Sequence, residues 1–202
     1  PGRDDMSAEL ERSEQVLPAH LAHHYSNWAY AVRGEVIARV TDSTWEEQLQ
    51  TRLLDPLGMT RTSLLPSTPH AQGYFTHPHA DAVVPEVHAS TGSAAPAMQL
   101  WSTPADLARW AAYLADPPAT LLAAQTPAPM RQPVIMFDPS TFALAWGGGL
   151  MLRRQGDRVP HGHGAAVPGS LAGCHPFRDS PELATPGGPA NACALAPHRG
   201  LA

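Results

Sequence analysis

The chain has 202 residues with 18 acidic and 13 basic side chains, a formal net charge of −5 at pH 7, 43% apolar and 15% charged residues. That is enough for one domain, or two small ones, with a sizeable core and too apolar for a wholly disordered chain. There is no basic surface to hold nucleic acid, and no apolar run approaches the ~18 residues of a membrane span. All 13 basic residues are Arg, so P-loop phosphate binding, Schiff-base chemistry and Ser-Lys nucleophile pairs have no lysine to use within these 202 residues. The start, Pro1-Gly2-Arg3-Asp4-Asp5, does not read as a signal peptide and has no initiating Met, which raises the expectation of further residues upstream.

Glu9 to Val16 is expected to form a helical turn or two. The first strong element runs from about Trp28 to Val40, where Ala29, Val32, Val36, Ile37 and Val40 form an apolar stripe at helical spacing. Asn27 is placed as its N-cap, and Gly34 inside it points to close packing. Ser43-Thr44-Trp45-Glu46 reads as a capping box opening a second helix, with Trp45, Leu49 and Leu53 on one face and Pro56 and Gly58 as its end. Residues 60–100 are rich in Thr, Ser, Pro and His; such a long loop is usually functional or wraps a neighbouring element.

Thr103-Pro104-Ala105-Asp106 opens a third helix that buries Leu107, Trp110, Ala111 and Leu114 and stops at Pro117-Pro118. Residues 142–163 are expected to be β structure: Phe142–Trp146, Leu150–Leu152, a turn at Gln155–Arg158 and a strand Val159–His163. From Cys174 the character changes. Residues 174–202 form a Pro/Gly/Ala-rich tail without periodicity, expected to be unstructured, against a folded region of residues 1–173. Cys174 and Cys193 are too few for a disulfide framework and have no zinc-like spacing.

Tyr25-Ser26-Asn27, just before the first strong helix, could carry chemistry. A Tyr hydroxyl can act as a general base where a nearby cation lowers its pKa, and an Asn side chain offers both a donor and an acceptor to a substrate amide. Alone, the triplet reads rather as a packed Tyr beside an N-cap Asn. His23-His24, His77-Pro78-His79 and His161-Gly162-His163 invite a metal reading. No His-Glu-x-x-His is present and no carboxylates lie close in sequence, so these read as loop histidines and neither a metal nor a cofactor is expected.

The stretches His24–Tyr30, Leu54-Asp55-Pro56-Leu57-Gly58-Met59-Thr60-Arg61-Thr62, Gln99–Trp110 and Gly162–Gly169, in this order and at these spacings, resemble the β-lactamase-related serine hydrolases. That group includes class C β-lactamases, D-Ala-D-Ala carboxypeptidases, D-aminopeptidases and esterases. The resemblance covers about residues 17–173. It implies an α/β (α+β) fold of the β-lactamase/transpeptidase type, an antiparallel sheet with a helical lobe, present here in part. It further implies an acyl-enzyme site built from Ser-x-x-Lys, Tyr-x-Asn (here Tyr25 and Asn27) and a Lys/His-Thr/Gly-Gly stretch (here His163-Gly164-Ala165). In such enzymes the Tyr moves protons, the Asn bonds the acyl side chain and the third motif orients Tyr and substrate. Its strand backbone gives one oxyanion-hole donor. Gly164 and Ala165 are then substrate-binding positions.

The chain departs from that pattern. It has no Ser-x-x-Lys, Ala165 stands where a Gly is usual, and Ser170 replaces an aromatic residue. Gly169-Ser170-Leu171-Ala172-Gly173 does not have the nucleophile-elbow spacing, and Ser26 has no base assigned to it. The resulting expectation is a fragment of a serine hydrolase acting on an ester, amide or β-lactam and inactive as the isolated chain. The alternatives are a non-catalytic remnant or a ligand-binding module of the same fold. The expected partner is a small or peptide-like substrate.

Overall fold

In a computed structural model, residues 3–19, 21–167, 169–176 and 191–197 are described. A helical layer comes first in the chain and a sheet second. The helices are α1 (Arg3–Arg12), α2 (Asn27–Thr41), α3 (Trp45–Leu49, continued by a π-helical turn Gln50–Leu54), α4 (Ala95–Met98), α5 (Pro104–Ala115) and α6 (Pro127–Met130). A hairpin of β1 (Tyr74–Thr76) and β2 (Val83–Pro85) lies within the 60–100 loop. Among the described residues, β3 (Ile135–Met136), β4 (Leu144–Trp146), β5 (Met151–Arg153), β6 (His161–Val167), β7 (Ser170–Pro176) and β8 (Asn191–Pro197) form one sheet. The order is β3-β4-β5-β6-β7-β8 and every neighbouring pair is antiparallel.

Several expectations shift. The first helix is Arg3–Arg12 rather than a turn over Glu9–Val16, and Arg12 in its last turn suits the helix dipole. The N-cap of α2 is Ser26, whose Oγ accepts from Ala29 N–H at 3.1 Å, while Asn27 is the first helical residue. The shorter Ser side chain leaves its oxygen within reach of the orphan N–H groups. The capping box sits one residue later than expected. Thr44 Oγ1 accepts from Glu47 N–H (3.1 Å) and Glu47 Oε2 accepts from Thr44 N–H (3.0 Å).

The face that α2 buries also differs. Ala31, Gly34, Glu35 and Ala38 are covered, whereas Val36, Ile37 and Val40 of the aliphatic stripe are exposed, Val40 to 81%. Small residues win because α4 comes very close: a Cβ on Gly34 would lie 2.3 Å from Pro96 Cγ. The helix is therefore apolar on two sides and covered on one.

The strand expected at Val159–His163 begins at His161 and runs on to Val167. The tail also departs from expectation. Cys174–Pro176 belong to β7, and Asn191–Pro197 pairs with it in continuous register, Ser170 opposite Pro197 and Pro176 opposite Asn191. Backbone pairing at a sheet edge needs no apolar alternation, so the composition concealed it. Residues 177–190 and 198–202 of that expected tail lie outside the described residues.

The core lies where α5 meets the sheet. Tyr113, Leu114 and Leu150 are buried, with Leu53, Leu57, Trp110, Leu121, Leu122 and Met130 packed around them and Trp110 stacked on Tyr113 at 5.1 Å. Polar contacts fix α5 in place. His161 Nε2 is 3.0 Å from Leu114 O, Cys174 Sγ donates to Leu107 O (3.6 Å), and Arg131 donates to Ala115 O (3.1 Å) and Leu114 O.

Asp106, 2% exposed, links α5 to the Leu57–Thr62 segment. Its Oδ2 accepts from Arg61 N–H and Thr62 Oγ1, both at 2.9 Å, and its Oδ1 from Arg109 at 2.8 Å. At the far end of β6, the β6–β7 turn touches the β1–β2 hairpin through two glycines. A Cβ on Gly73 would sit 2.9 Å from Gly169 O, and Gly169 itself has φ +75°. The long loop thus wraps back to β6, as its length led one to expect.

Two consequences can be measured. Gly34→Ala is expected to destabilise by about 1–3 kcal/mol in urea unfolding, because overpacking against Pro96 outweighs the gain in helix propensity; a stabilised variant would contradict the close packing. Asp106→Ala strands the Arg61 N–H and the Thr62 hydroxyl and is expected to cost on the order of 2–4 kcal/mol. Little of that comes from the half-exposed Arg109.

Candidate active site

Tyr25 sits in the irregular segment just before α2, with its ring half exposed. His163 is the third residue of β6. The fold brings these distant residues together: their ring centroids are 6.2 Å apart, with the planes tilted by 37°. Trp146, the last residue of β4, completes the group. It meets Tyr25 edge-on at 5.8 Å and His163 edge-on at 5.5 Å. His23 packs against Trp146 at 5.0 Å and Phe137 against His23 at 4.9 Å.

The remaining candidates are placed as follows. Asn27 lies on the exposed first turn of α2, two residues past Tyr25. Gly164 and Ala165 follow His163 along β6, and Ala165 is exposed. The β5–β6 ladder pairs only His161 and Gly162, so among the described residues β6 has a strand neighbour on one side, β7, from His163 onward. Its other edge is an unpaired strand edge of the kind that can pair with an extended ligand. A Cβ on Gly164 would meet nothing nearer than 3.9 Å, so the site has room there. The Ser26 hydroxyl caps α2, which accounts for it without a chemical role.

Electrostatically the site is mild. Burial lowers the His163 pKa below its usual 6.5, and a hydrogen bond to the Gly164 backbone opposes that only in part. The imidazole is neutral at pH 7, able to donate from one nitrogen and accept at the other. His175, on β7, is also lowered, by burial and then by Arg153, His163 and His161. His23 is lowered by burial and by His24. Among the described residues, no three His, Cys, Asp or Glu side chains converge as a metal site, and no helix is long and apolar enough to cross a membrane.

From the sequence, His23 stands out only as part of one of the histidine pairs that invite a metal reading, Trp146 only as the end of an expected strand, and Phe137 not at all. His23 lies two residues before Tyr25, which is a usable signal. Trp146 and Phe137 carry none, because only the sheet register brings them to Tyr25.

The chain matches the Beta-lactamase family over residues 1–176. It belongs to that family of serine hydrolases. Solved structures agree. The D-amino acid amidase of Ochrobactrum anthropi SV3, in complex with L-phenylalanine amide, is 28% identical, with a TM-score of 0.67 over 86% of this chain and 51% of its own. A D-stereospecific amidohydrolase from a Streptomyces species is 21% identical, with a TM-score of 0.74 over 83% of this chain and 50% of its own. A penicillin-binding protein from Bacillus halodurans is 13% identical, with a TM-score of 0.75 over 96% and 58%. These last two likenesses are of fold. The chain therefore spans about half the length of the solved structures it matches. No curated protein sequence matches it.

The depressed histidines predict an acid-sensitive fold. Unfolded, these groups titrate near 6.5; folded, they titrate lower, so between those values the unfolded chain binds more protons. Their stabilising contribution is complete above about pH 6.5 and is lost as pH falls through the folded values, while the lowered carboxylates Asp138 and Glu47 act in the same direction only nearer pH ~4. Thermal melts should show Tm level above pH 7 and falling from 6.5 downward, and His163→Asn should flatten that fall. A Tm that rises with acid in this range would refute the assignment.

Proposed function

We propose that this chain carries the proton-transfer and substrate-edge part of an acyl-transfer site for an amide, ester or β-lactam. The observation that supports it is the meeting of Tyr25 and His163 beside an unpaired stretch of β6. In this reading Tyr25 takes the proton of an attacking serine hydroxyl and later returns it to the leaving group. Asn27 bonds the acyl side chain. His163 orients the Tyr25 hydroxyl and the substrate, and the β6 backbone at Gly164–Ala165 supplies one hydrogen bond to the developing oxyanion. A neutral His163 orients through hydrogen bonding rather than by positive charge. Ala165 adds a methyl group where the family usually has none, which narrows the space for a bulky acyl group. The amidase solved with L-phenylalanine amide makes amino acid amides the first substrates to test.

The nucleophile is outside this set: the 202 residues contain no lysine and so no Ser-x-x-Lys. The chain alone is inactive in this reading, and chemistry belongs to a longer polypeptide. A Ser-x-x-Lys encoded in frame before Pro1 supports the enzyme; its absence there supports a non-catalytic remnant that keeps only the binding edge. The isolated chain, incubated with a fluorescent penicillin and separately with a fluorophosphonate, is expected to gain no covalent mass. Stoichiometric labelling of any serine in the mass spectrum would falsify the proposal that the nucleophile lies elsewhere.

A further inference from the structure

We propose that Trp146 is the positioning residue of this site, its indole holding the Tyr25 and His163 rings at their mutual distance and tilt. The inference rests on the reading of Tyr25 and His163 as a functional pair. Tyr25 has little of its own to hold it. It lies outside any helix or strand, its ring is half exposed, and the α2 cap formed next to it engages Ser26.

Trp146 is mounted on the opposite kind of support. Its strand is paired on both sides, Trp146 standing opposite Ile135 on β3 and Met151 on β5, and its carbonyl accepts from Val134 N–H at 2.8 Å. Its indole meets both rings nearly perpendicularly, at 75° to Tyr25 and 77° to His163, the edge-to-face arrangement that the aromatic quadrupole favours. His23 closes a third side of the indole and is in turn backed by Phe137. A flat, rigid ring touching both partners converts the order of the sheet into order at a loop residue. That is what a site needs when one of its members sits outside regular secondary structure.

The test uses the whole chain and does not depend on turnover. Aromatic cross-peaks between Tyr25 and His163 and the titration of the His163 ring are followed by NMR. The charged and titratable groups around His163 are Tyr25, His161, His175 with Arg153 beside it, and Cys174 opposite on β7; the same spectra follow the other histidines as internal controls. In Trp146→Ala the Tyr25–His163 cross-peaks are expected to vanish and the His163 midpoint to rise toward 6.5 as water reaches the ring. Trp146→Phe should restore both. Trp146→Leu, which keeps bulk without a ring, should behave like the Ala variant and covers the case in which Ala fails to fold. Cross-peaks and midpoint unchanged in folded Ala or Leu variants would overturn the role of Trp146 and leave the pair intact. Absence of the cross-peaks in the unsubstituted chain would overturn the pair itself, and this inference with it.

Discussion

The Asp106 carboxylate is the constraint on which the helical layer depends. A buried charge is tolerated only when its acceptor capacity is filled, and here a backbone N–H, a hydroxyl and a guanidinium fill it. Arg61 and Thr62 lie just past the Gly58 turn that ends the α3 segment, so the same carboxylate links α3 to the start of α5. With α5 so placed, Leu114 O meets His161 and Leu107 O meets Cys174, and the helical layer is set against β6 and β7. His161 is two residues from His163. The chain of contacts from Asp106 to the candidate site is therefore short, and every link in it is a polar group that a misplaced α5 would leave unsatisfied.

The two faces of α2 carry a related constraint. Its covered face carries Ala31, Gly34 and Ala38, small enough for α4 to approach closely, together with Glu35, while its aliphatic stripe of Val36, Ile37 and Val40 is open to solvent. A helix apolar on both sides belongs in the interior of a larger assembly of elements. Relatives roughly twice as long provide the context in which such a helix makes sense; Asn27 stands in its first turn and Tyr25 just before it.

The absence of lysine shapes what the site can do. With a neutral imidazole at His163 and no lysine among the 202 residues, the site residues described present hydrogen-bonding and aromatic surface to a ligand. Recognition along an unpaired strand edge suits that chemistry, because its affinity comes from backbone N–H and C=O groups. The histidines held neutral by burial at 23, 163 and 175 couple the integrity of the same region to pH.

The sequence by itself determined the family, the helices at 27–41 and 104–115 and the residue types at 25, 27 and 163–165. These are written in local signals: an i, i+3, i+4 period, caps next to Pro and Thr, and short motifs at fixed spacing. Local signals also misled where a neighbour decided the outcome. The stripe of Ala29, Val32, Val36, Ile37 and Val40 was the correct period but not the covered face, because Pro96 selects for Gly34. The Ala- and Pro-rich stretch at 191–197 pairs through its backbone, which composition does not reveal. Only the tertiary structure decided that Trp146, His23 and Phe137 belong with Tyr25 and His163. Ring contacts across β4 and β6 depend on strand register, and register is a property of paired strands that no single segment of the chain encodes.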